Sequence, residues 1–457
     1  MSHPELSYTG HVRAILTLGL PLVGGHLAQF AIGLTDTIML GWYGAEQLAT
    51  LSLASSLFFT FFLVGSGFAW AVTPLVASFA AQDDQVMIRR TTRMALWLSG
   101  LFFLFSMPFL WFANPILQVL GQEPQLAEMA QTYLRIAAWG LLPALGVMTL
   151  KSYLSALERT QVILWITVLA AIVNGIGNWI LIFGNLGAPE LGIRGAAIAS
   201  TLTQVVSLAG VVIYAHMVLP EHNLWGRFWR PDPEMFARVF HLGWPIGLTS
   251  LAEVGMFVMS ALMMGWLGTI ALASHGIAVQ LATATFMVHL GVSNASTVRA
   301  GNAFGRGDPG HLARGAGVAF AMSVSISLVA IVIFLLMPER LVSLFLDPAD
   351  PDRAAIIALG VGLLVMAALF QLVDGAQVIA LGLLRGVQDT QAPMIIAGVA
   401  YWGVGLTSSY VCGFVLGWGA VGIWTGLVLG LGVAAVLLNL RFWMQALPAL
   451  RTRTDAG

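Results

Sequence analysis

Charge is what this sequence lacks. Of its 457 residues, 20 are Lys or Arg and 21 are Asp or Glu, together 9 %, against about 25 % in an ordinary soluble domain. A soluble chain of this length could not cover its surface with so few. The net charge is -1, so there is no basic face for a nucleic acid. Cysteine is absent apart from Cys412, which excludes a disulfide framework and any Cys-ligated zinc or iron–sulfur centre. No phosphate-cradling G-x-x-x-x-G-K-S/T loop occurs, and no G-x-G-x-x-G follows a strand pattern. ATPase and dinucleotide chemistry are therefore not expected, and neither is any organic cofactor. What remains is apolar: 58 % of the chain is hydrophobic. That composition belongs to a polytopic membrane protein.

A membrane-spanning helix needs about 20 mostly apolar residues. Twelve such runs are present: 14–40, 48–80, 94–120 (broken near Pro108 to Pro115), 129–154, 162–186, 192–218, 239–265, 270–302, 315–338, 354–384, 392–417 and 419–446. The alternating ten-residue segments of a β-barrel are not seen. The first run is too long for a signal-peptide core and is read as a retained helix.

Basic residues give the direction. The N-terminus, the loops after even-numbered helices and the C-terminus hold Arg13, Arg89, Arg90, Arg93, Lys151, Arg159, Arg227, Arg230, Arg238, Arg299, Arg306, Arg314, Arg385, Arg441, Arg451 and Arg453. That is 16 of the 20; Arg135, Arg194, Arg340 and Arg353 fall on the other side. The split places both termini in the cytoplasm. The longest polar stretch, 219–238, lies at the midpoint and reads as a cytoplasmic linker between an N-terminal six-helix bundle (1–218) and a C-terminal one (239–457).

The halves echo each other. LGLP at 18–21 recurs as LGWP at 242–245, and MLGWYG at 39–44 as MMGWLG at 263–268. GAAIA at 195–199 faces GAVGI at 419–423, and ERTQ at 158–161 faces QDTQ at 388–391. The first three pairs are 224 residues apart. Six helices is an even number, so the repeats are parallel. Transporters of this design place substrate between their halves and alternate access by moving one against the other. Duplication for structural reasons alone is the competing explanation.

Three acids lie within the runs: Asp36 in the first, Glu253 in the seventh and Asp374 in the tenth. Together they cost roughly 8–10 kcal/mol on the insertion scale. With no lysine or central arginine to pair with, they must protonate, bind a cation or face water. A shared structural proton is the alternative reading of Glu253 and Asp374, which match in depth. Asn174 and Asn178 share one helix face. With Ser200, Thr201, Thr203 and Gln204 they fall at the depth of Asp36 and could line a polar pocket there; ordinary interhelical hydrogen bonding is the competing explanation. Pro21 and Pro245 occupy equivalent repeat positions and can kink their helices. Met256, Met259 and Met263 form a stripe that reads as packing, while His26, His275 and His289 follow no ligand spacing and read as buried, satisfied histidines.

Nearly the whole chain resembles the multidrug and toxic compound extrusion (MATE) family, on its NorM-like branch. The resemblance rests on Thr35-Asp36-Thr37 followed by MLGWYG, on Glu253 within the run after LGWP, and on the stretch from Asp374 through LLRGVQDTQ at 383–391. It implies an all-α polytopic membrane protein with twelve helices in two parallel six-helix repeats, forming V-shaped bundles. It further implies a monomer in the lipid of the bacterial inner membrane that exports cationic, lipophilic drugs in exchange for Na⁺ or H⁺. Carried over by position, Glu253 and Asp374 form one cation site, which Na⁺ could occupy. Asp36, Asn174, Asn178 and Thr201 form the other. Phe370 stands where Na⁺-coupled relatives may offer a tyrosine one turn before the helix-ten acid, and it supplies no oxygen ligand. Three rival readings remain, each with a feature that separates it. A lipid-linked oligosaccharide flippase should carry central Arg or Lys. A channel would not exchange stoichiometrically. An enzyme would need a nucleophile–base pair or metal ligands at depth, and none is found.

Overall fold

A computed structural model describes residues 7–348 and 351–455. The outermost ends of the two expected halves, at 1–6 and 456–457, lie outside the described residues. No strand occurs among the described residues. Twelve helices are long and apolar enough to cross a membrane: α1 Tyr8–Tyr43, α2 Glu46–Ala80, α3 Gln85–Trp111, α4 Pro124–Ala156, α5 Thr160–Phe183, α6 Ile193–Val218, α7 Pro233–Leu267, α8 Thr269–Arg306, α9 Pro309–Leu336, α10 Arg353–Gly386, α11 Gln391–Val415 and α12 Gly419–Thr452. The expected count of twelve is met, but several helices begin earlier than the apolar runs do. Polar ends such as Gln85–Arg93 and Pro233–Arg238 are helical yet carry charge, so hydropathy trims them. The break expected in the third run is real: α3 ends at Trp111 and a separate short helix, Ala113–Val119, follows.

The chain divides into two compact units. One joins Met1–Val23 to Leu248–Gly457; the other is Gly24–Gly247. We call them the C-terminal and N-terminal units. Both divisions fall two residues after a helix-interior proline, Pro21 in α1 and Pro245 in α7. They are 224 residues apart, the repeat offset itself. The first turns of α7 therefore belong with α2–α6, and the first turns of α1 with α8–α12.

Paired glycines explain this exchange. In the C-terminal unit, a Cβ on Gly291 of α8 would meet Val23 of α1 at 2.9 Å from its backbone nitrogen. In the N-terminal unit, a Cβ on Gly67 of α2 would meet the backbone of Gly247 of α7 at 2.5 Å. Gly19 and Gly243 complete the two crossings, and each matches its counterpart at the 224 offset. Without a hydrophobic drive between helices in lipid, this close backbone approach is what holds them together.

The same device sets the other helices that carry the site. On α10, Gly375, Gly382 and Gly386 each leave no room for a side chain against α8 or α9. The Ser293 hydroxyl donates to the Val378 carbonyl at 2.7 Å, and Thr297 to Gly382 at 2.9 Å. On α12, Gly422, Gly426 and Gly430 recur every fourth residue against Cys412, Ser409 and Gly405 of α11. In the N-terminal unit, Ala127, Ala130, Leu134, Ala137 and Ala138 of α4 share one buried core cluster with Leu51 of α2.

The midpoint stretch is a docked strap rather than a loose linker. Arg90, Arg93 and Trp97 lie one to two turns apart on one face of α3. Arg93 donates to the carbonyls of Asn223 (2.7 Å), Leu224 (2.6 Å) and Gly226. The Trp97 indole donates to Phe228 at 3.0 Å. Arg90 pairs with Asp232 and, at 2.9 Å, with Glu234. Asp232 also accepts from the Met235 amide at 3.2 Å, capping α7. Sequence alone shows polar residues here but not the partners that order them.

Two outcomes follow. Gly67→Val and Gly291→Val overpack the crossings, at a cost of about 1–3 kcal/mol each, and should lower the melting temperature in detergent. Gly33→Ala, which meets nothing within 4 Å, should leave it unchanged. The hydrogen bond from Arg90 holds the Asp232 carboxyl below the ordinary aspartate value. Its contribution is therefore present above about pH 4, the unfolded aspartate range, and is lost as pH falls further through the depressed folded value. Hydrogen exchange over 222–232 should accelerate in that acidic window and not between pH 5 and 8.

Candidate functional site: two carboxylate clusters

In the N-terminal unit, Asp36 is half-buried on α1. Its Oδ1 accepts from the Asn178 amide at 2.5 Å, and its Oδ2 from the Ser200 hydroxyl at 3.1 Å. The Asn178 amide also donates to Asn174 Oδ1 at 3.2 Å, across one turn of α5. Both asparagines are fully buried. Asn178 Oδ1 has no partner, so an acceptor oxygen stands free beside a carboxylate. Tyr133 of α4 lies within electrostatic range of the same acid. Asp36, Asn174 and Asn178 are thus brought together. Thr201 is not: its hydroxyl points to the Ile136 carbonyl at 3.4 Å. Ser200 takes that place, because neighbouring residues on a helix point about 100° apart.

In the C-terminal unit, Glu253 on α7 and Asp374 on α10 lie within electrostatic range of each other. Asp374 is 2 % exposed. The pair has further company on α10 and α11. Gln377 donates to the Tyr401 hydroxyl, and Tyr401 in turn lies in the field of both acids. Tyr401 falls in a stretch, Val399–Leu406, wound with wide i→i+5 turns, a distortion frequent at functional positions. Gln371 is fully buried with neither amide atom partnered, and Gln377 Oε1 is free as well. These two amides sit one turn before and one turn after Asp374 on the same helix face. The sequence reading missed both, although the i−3 and i+3 spacing from the acid was visible.

The expectation that these acids have no basic neighbour is corrected by the structure. Arg385, assigned by hydropathy to a cytoplasmic loop, is half-buried on α10 and lies in the field of Glu253. It is three turns from Asp374 along the same helix. Lys151 is likewise inside α4, not in a loop.

The remaining singled-out residues are packing. Phe370 is buried edge-on between Phe257 and Trp424. Met256 is buried against Gly405. His275 accepts from the Trp424 indole at 3.1 Å, and His289 bonds Ser323 at 3.0 Å. Asp389 of the QDTQ motif is paired with Arg441 at 2.8 Å, tying the α10–α11 turn to α12.

A twelve-helix membrane protein with one carboxylate cluster in each of two repeated units is a class defined by fold and site together. Known proteins agree with the fold. The sequence model of the MatE family matches residues 21–180 and 245–411, two segments that begin 224 residues apart. The "Probable multidrug resistance protein NorM" of Rhizobium meliloti (strain 1021) is 46 % identical over 97 % of this chain and 95 % of its own length. The protein of the same name from Agrobacterium fabrum is 41 % identical over 98 % and 96 %. In structure, a MATE protein crystallised in the bent conformation superposes with a TM-score of 0.88 at 20 % identity, over 98 % of this chain and 97 % of that one. The chain belongs to the MatE family.

The orphaned amide of Gln371 gives a sharp expectation. In ion-free protein an apolar isostere should relieve an unmet polar burial, worth about 1–3 kcal/mol. Gln371→Leu should therefore raise the melting temperature in detergent without Na⁺ near neutral pH, while Asn178→Leu, which removes a bond to Asp36, should lower it.

Proposed function

We propose that this protein is a secondary antiporter that exports cationic, lipophilic compounds in exchange for Na⁺ or H⁺. The observation that carries the reading is the coupled pair Glu253 and Asp374, set in spanning helices beside buried amides with unused hydrogen-bonding capacity. The names of its relatives, multidrug resistance proteins, support efflux as the direction. No bond-making chemistry is assigned, and the protein acts as a carrier rather than an enzyme.

The cycle uses this chain's own groups. Facing outward, the pair binds one cation, with Na⁺ held by the two carboxylates or H⁺ shared between them. Loading neutralises carboxylate charge at the site and lowers the cost of enclosing it. Facing inward, a lipophilic cation competes for the same charge and displaces the ion. Such competition is required, since a ligand shifts a conformational equilibrium only by its differential affinity for the two states. Asp36, with Asn174, Asn178 and Ser200, offers the second site. The protein works as a monomer in the bacterial inner membrane with both termini cytoplasmic. The compact units, Gly24–Gly247 and Met1–Val23 with Leu248–Gly457, are the moving parts. A flippase for lipid-linked substrates has a related architecture, but the charge at Glu253, Asp374 and Asp36 is of the wrong sign for pyrophosphate.

Everted membrane vesicles loaded with a fluorescent lipophilic cation test this, with a Na⁺ gradient and a pH gradient applied separately. At least one gradient should drive dye movement. Asp374→Asn should abolish it at unchanged protein level, and Glu253→Gln should do the same. Full transport by Asp374→Asn would reject the assignment.

A further inference from the structure

The strap that follows α6 holds one turn whose side chains are not explained by its packing. The Arg230 amide donates to the Arg227 carbonyl at 3.1 Å, which closes a four-residue turn over Arg227, Phe228, Trp229 and Arg230. A turn of this kind brings its two end residues within about 7 Å. Its inner side is fastened to α3. The Phe228 carbonyl accepts from the Trp97 indole at 3.0 Å, and the Gly226 carbonyl just before the turn accepts from Arg93. The Phe228 ring lies against Trp97 and Trp225, with centroid distances of 6.5 and 6.1 Å. The other three side chains face out. Trp229 is 74 % exposed, and Arg227 and Arg230 are exposed with it.

Arg227 is also strained. Its φ is +54°, in the left-handed region that disfavours residues other than Gly, Asn and Asp. Asn223, four residues earlier, has a left-handed backbone at φ +41°, and asparagine suits it. Arginine does not. A poor fit at such a position points to a use for the side chain. Among the described residues the Arg227 guanidinium forms no ion pair. Arg230 lies in the field of Asp232, but Arg90 already holds that carboxylate through both oxygens.

The depth of the turn selects what can meet it. Arg93 and Trp97 stand eight and twelve residues into α3, about 12 and 18 Å from its first residue. α3 spans Gln85–Trp111, about 40 Å, against a hydrocarbon core of about 30 Å. The strap is therefore folded back along α3 to the level where lipid headgroups meet acyl chains. Two exposed guanidiniums on one fastened turn match a phosphodiester, which arginine binds through paired N–H donors. An exposed indole suits the same level.

We propose that the 227–230 turn binds an anionic phospholipid of the adjacent leaflet, with Arg227 and Arg230 on its phosphate and Trp229 against its glycerol and first acyl carbons. That leaflet is the cytoplasmic one in the orientation proposed above. The site requires only that the chain spans a membrane and is independent of which ion or drug is carried.

The full-length protein in detergent, titrated with phosphatidylglycerol and followed by native mass spectrometry, tests this, with phosphatidylcholine as the zwitterionic comparison. The wild type should bind one phosphatidylglycerol more tightly than phosphatidylcholine. Arg227→Gln combined with Arg230→Gln should weaken that lipid about thirtyfold, the loss of two basic contacts near a membrane surface. Arg340→Gln, which removes an exposed arginine of the other unit, should leave it unchanged. Arg227→Gly separates binding from folding. Glycine accepts the left-handed backbone, so the melting temperature should not fall, while affinity for phosphatidylglycerol should drop about fivefold. Equal affinity of the wild type for the two lipids, full binding by the double variant, or the same loss in Arg340→Gln would overturn the proposal. So would a lower melting temperature in Arg227→Gly, because the arginine would then serve the fold.

Discussion

A carboxylate inside a membrane-spanning helix must be matched by something, and the rest of this molecule is organised around that constraint. Each acid at depth costs about 2.5–3.5 kcal/mol on the insertion scale. Asp36 meets the cost with donors: an amide and a hydroxyl occupy its two oxygens. Glu253 and Asp374 meet it differently. They sit together, with one guanidinium in range and with amides left unsatisfied around them. A pair arranged in this way leaves polar capacity around it unused. The tight glycine crossings matter because they fix α10 and α11 closely enough to keep these groups in reach of one another.

The internal repeat sharpens the contrast between packing and function. At the 224 offset, Gly19 matches Gly243 and Gly67 matches Gly291, so the helix crossings are duplicated. The acids are not. The counterpart of Asp36 is Ser260, which bonds the Phe257 carbonyl, and the counterpart of Glu253 is Gln29. Each unit has therefore retained the backbone geometry and placed its charge on a different turn. One duplicated scaffold carries two chemically distinct clusters, a donor-satisfied one in Gly24–Gly247 and an electrostatically incomplete one in Leu248–Gly457.

Much of this was legible in the sequence, for physical reasons. Apolar runs of spanning length set the helix count. Acids within them stood out because hydrocarbon penalises them. Asn174 and Asn178 could be placed on one face by their spacing. What sequence could not supply was side-chain direction and the reach of long side chains. Thr201 and Ser200 are adjacent, and only coordinates show which one faces Asp36. Gln371 and Gln377 are ordinary residues on a helix until their burial is known. Arg385 and Lys151 lie near helix ends, where hydropathy assigns charge to loops, yet Arg385 is half-buried in the field of Glu253 and Lys151 bonds Thr167. The strap at 219–232 reads as a linker because its order comes from Arg90, Arg93 and Trp97, more than 120 residues away in the chain.

The central claim is that ion and drug compete for the Glu253–Asp374 pair. The most direct measurement is ion release on drug binding to purified protein in detergent, followed by a pH indicator for H⁺ and a selective electrode for Na⁺. The account predicts release of about one monovalent ion per lipophilic cation bound, abolished in Asp374→Asn. Stoichiometric drug binding with no ion released, or release that persists in Asp374→Asn, would contradict it.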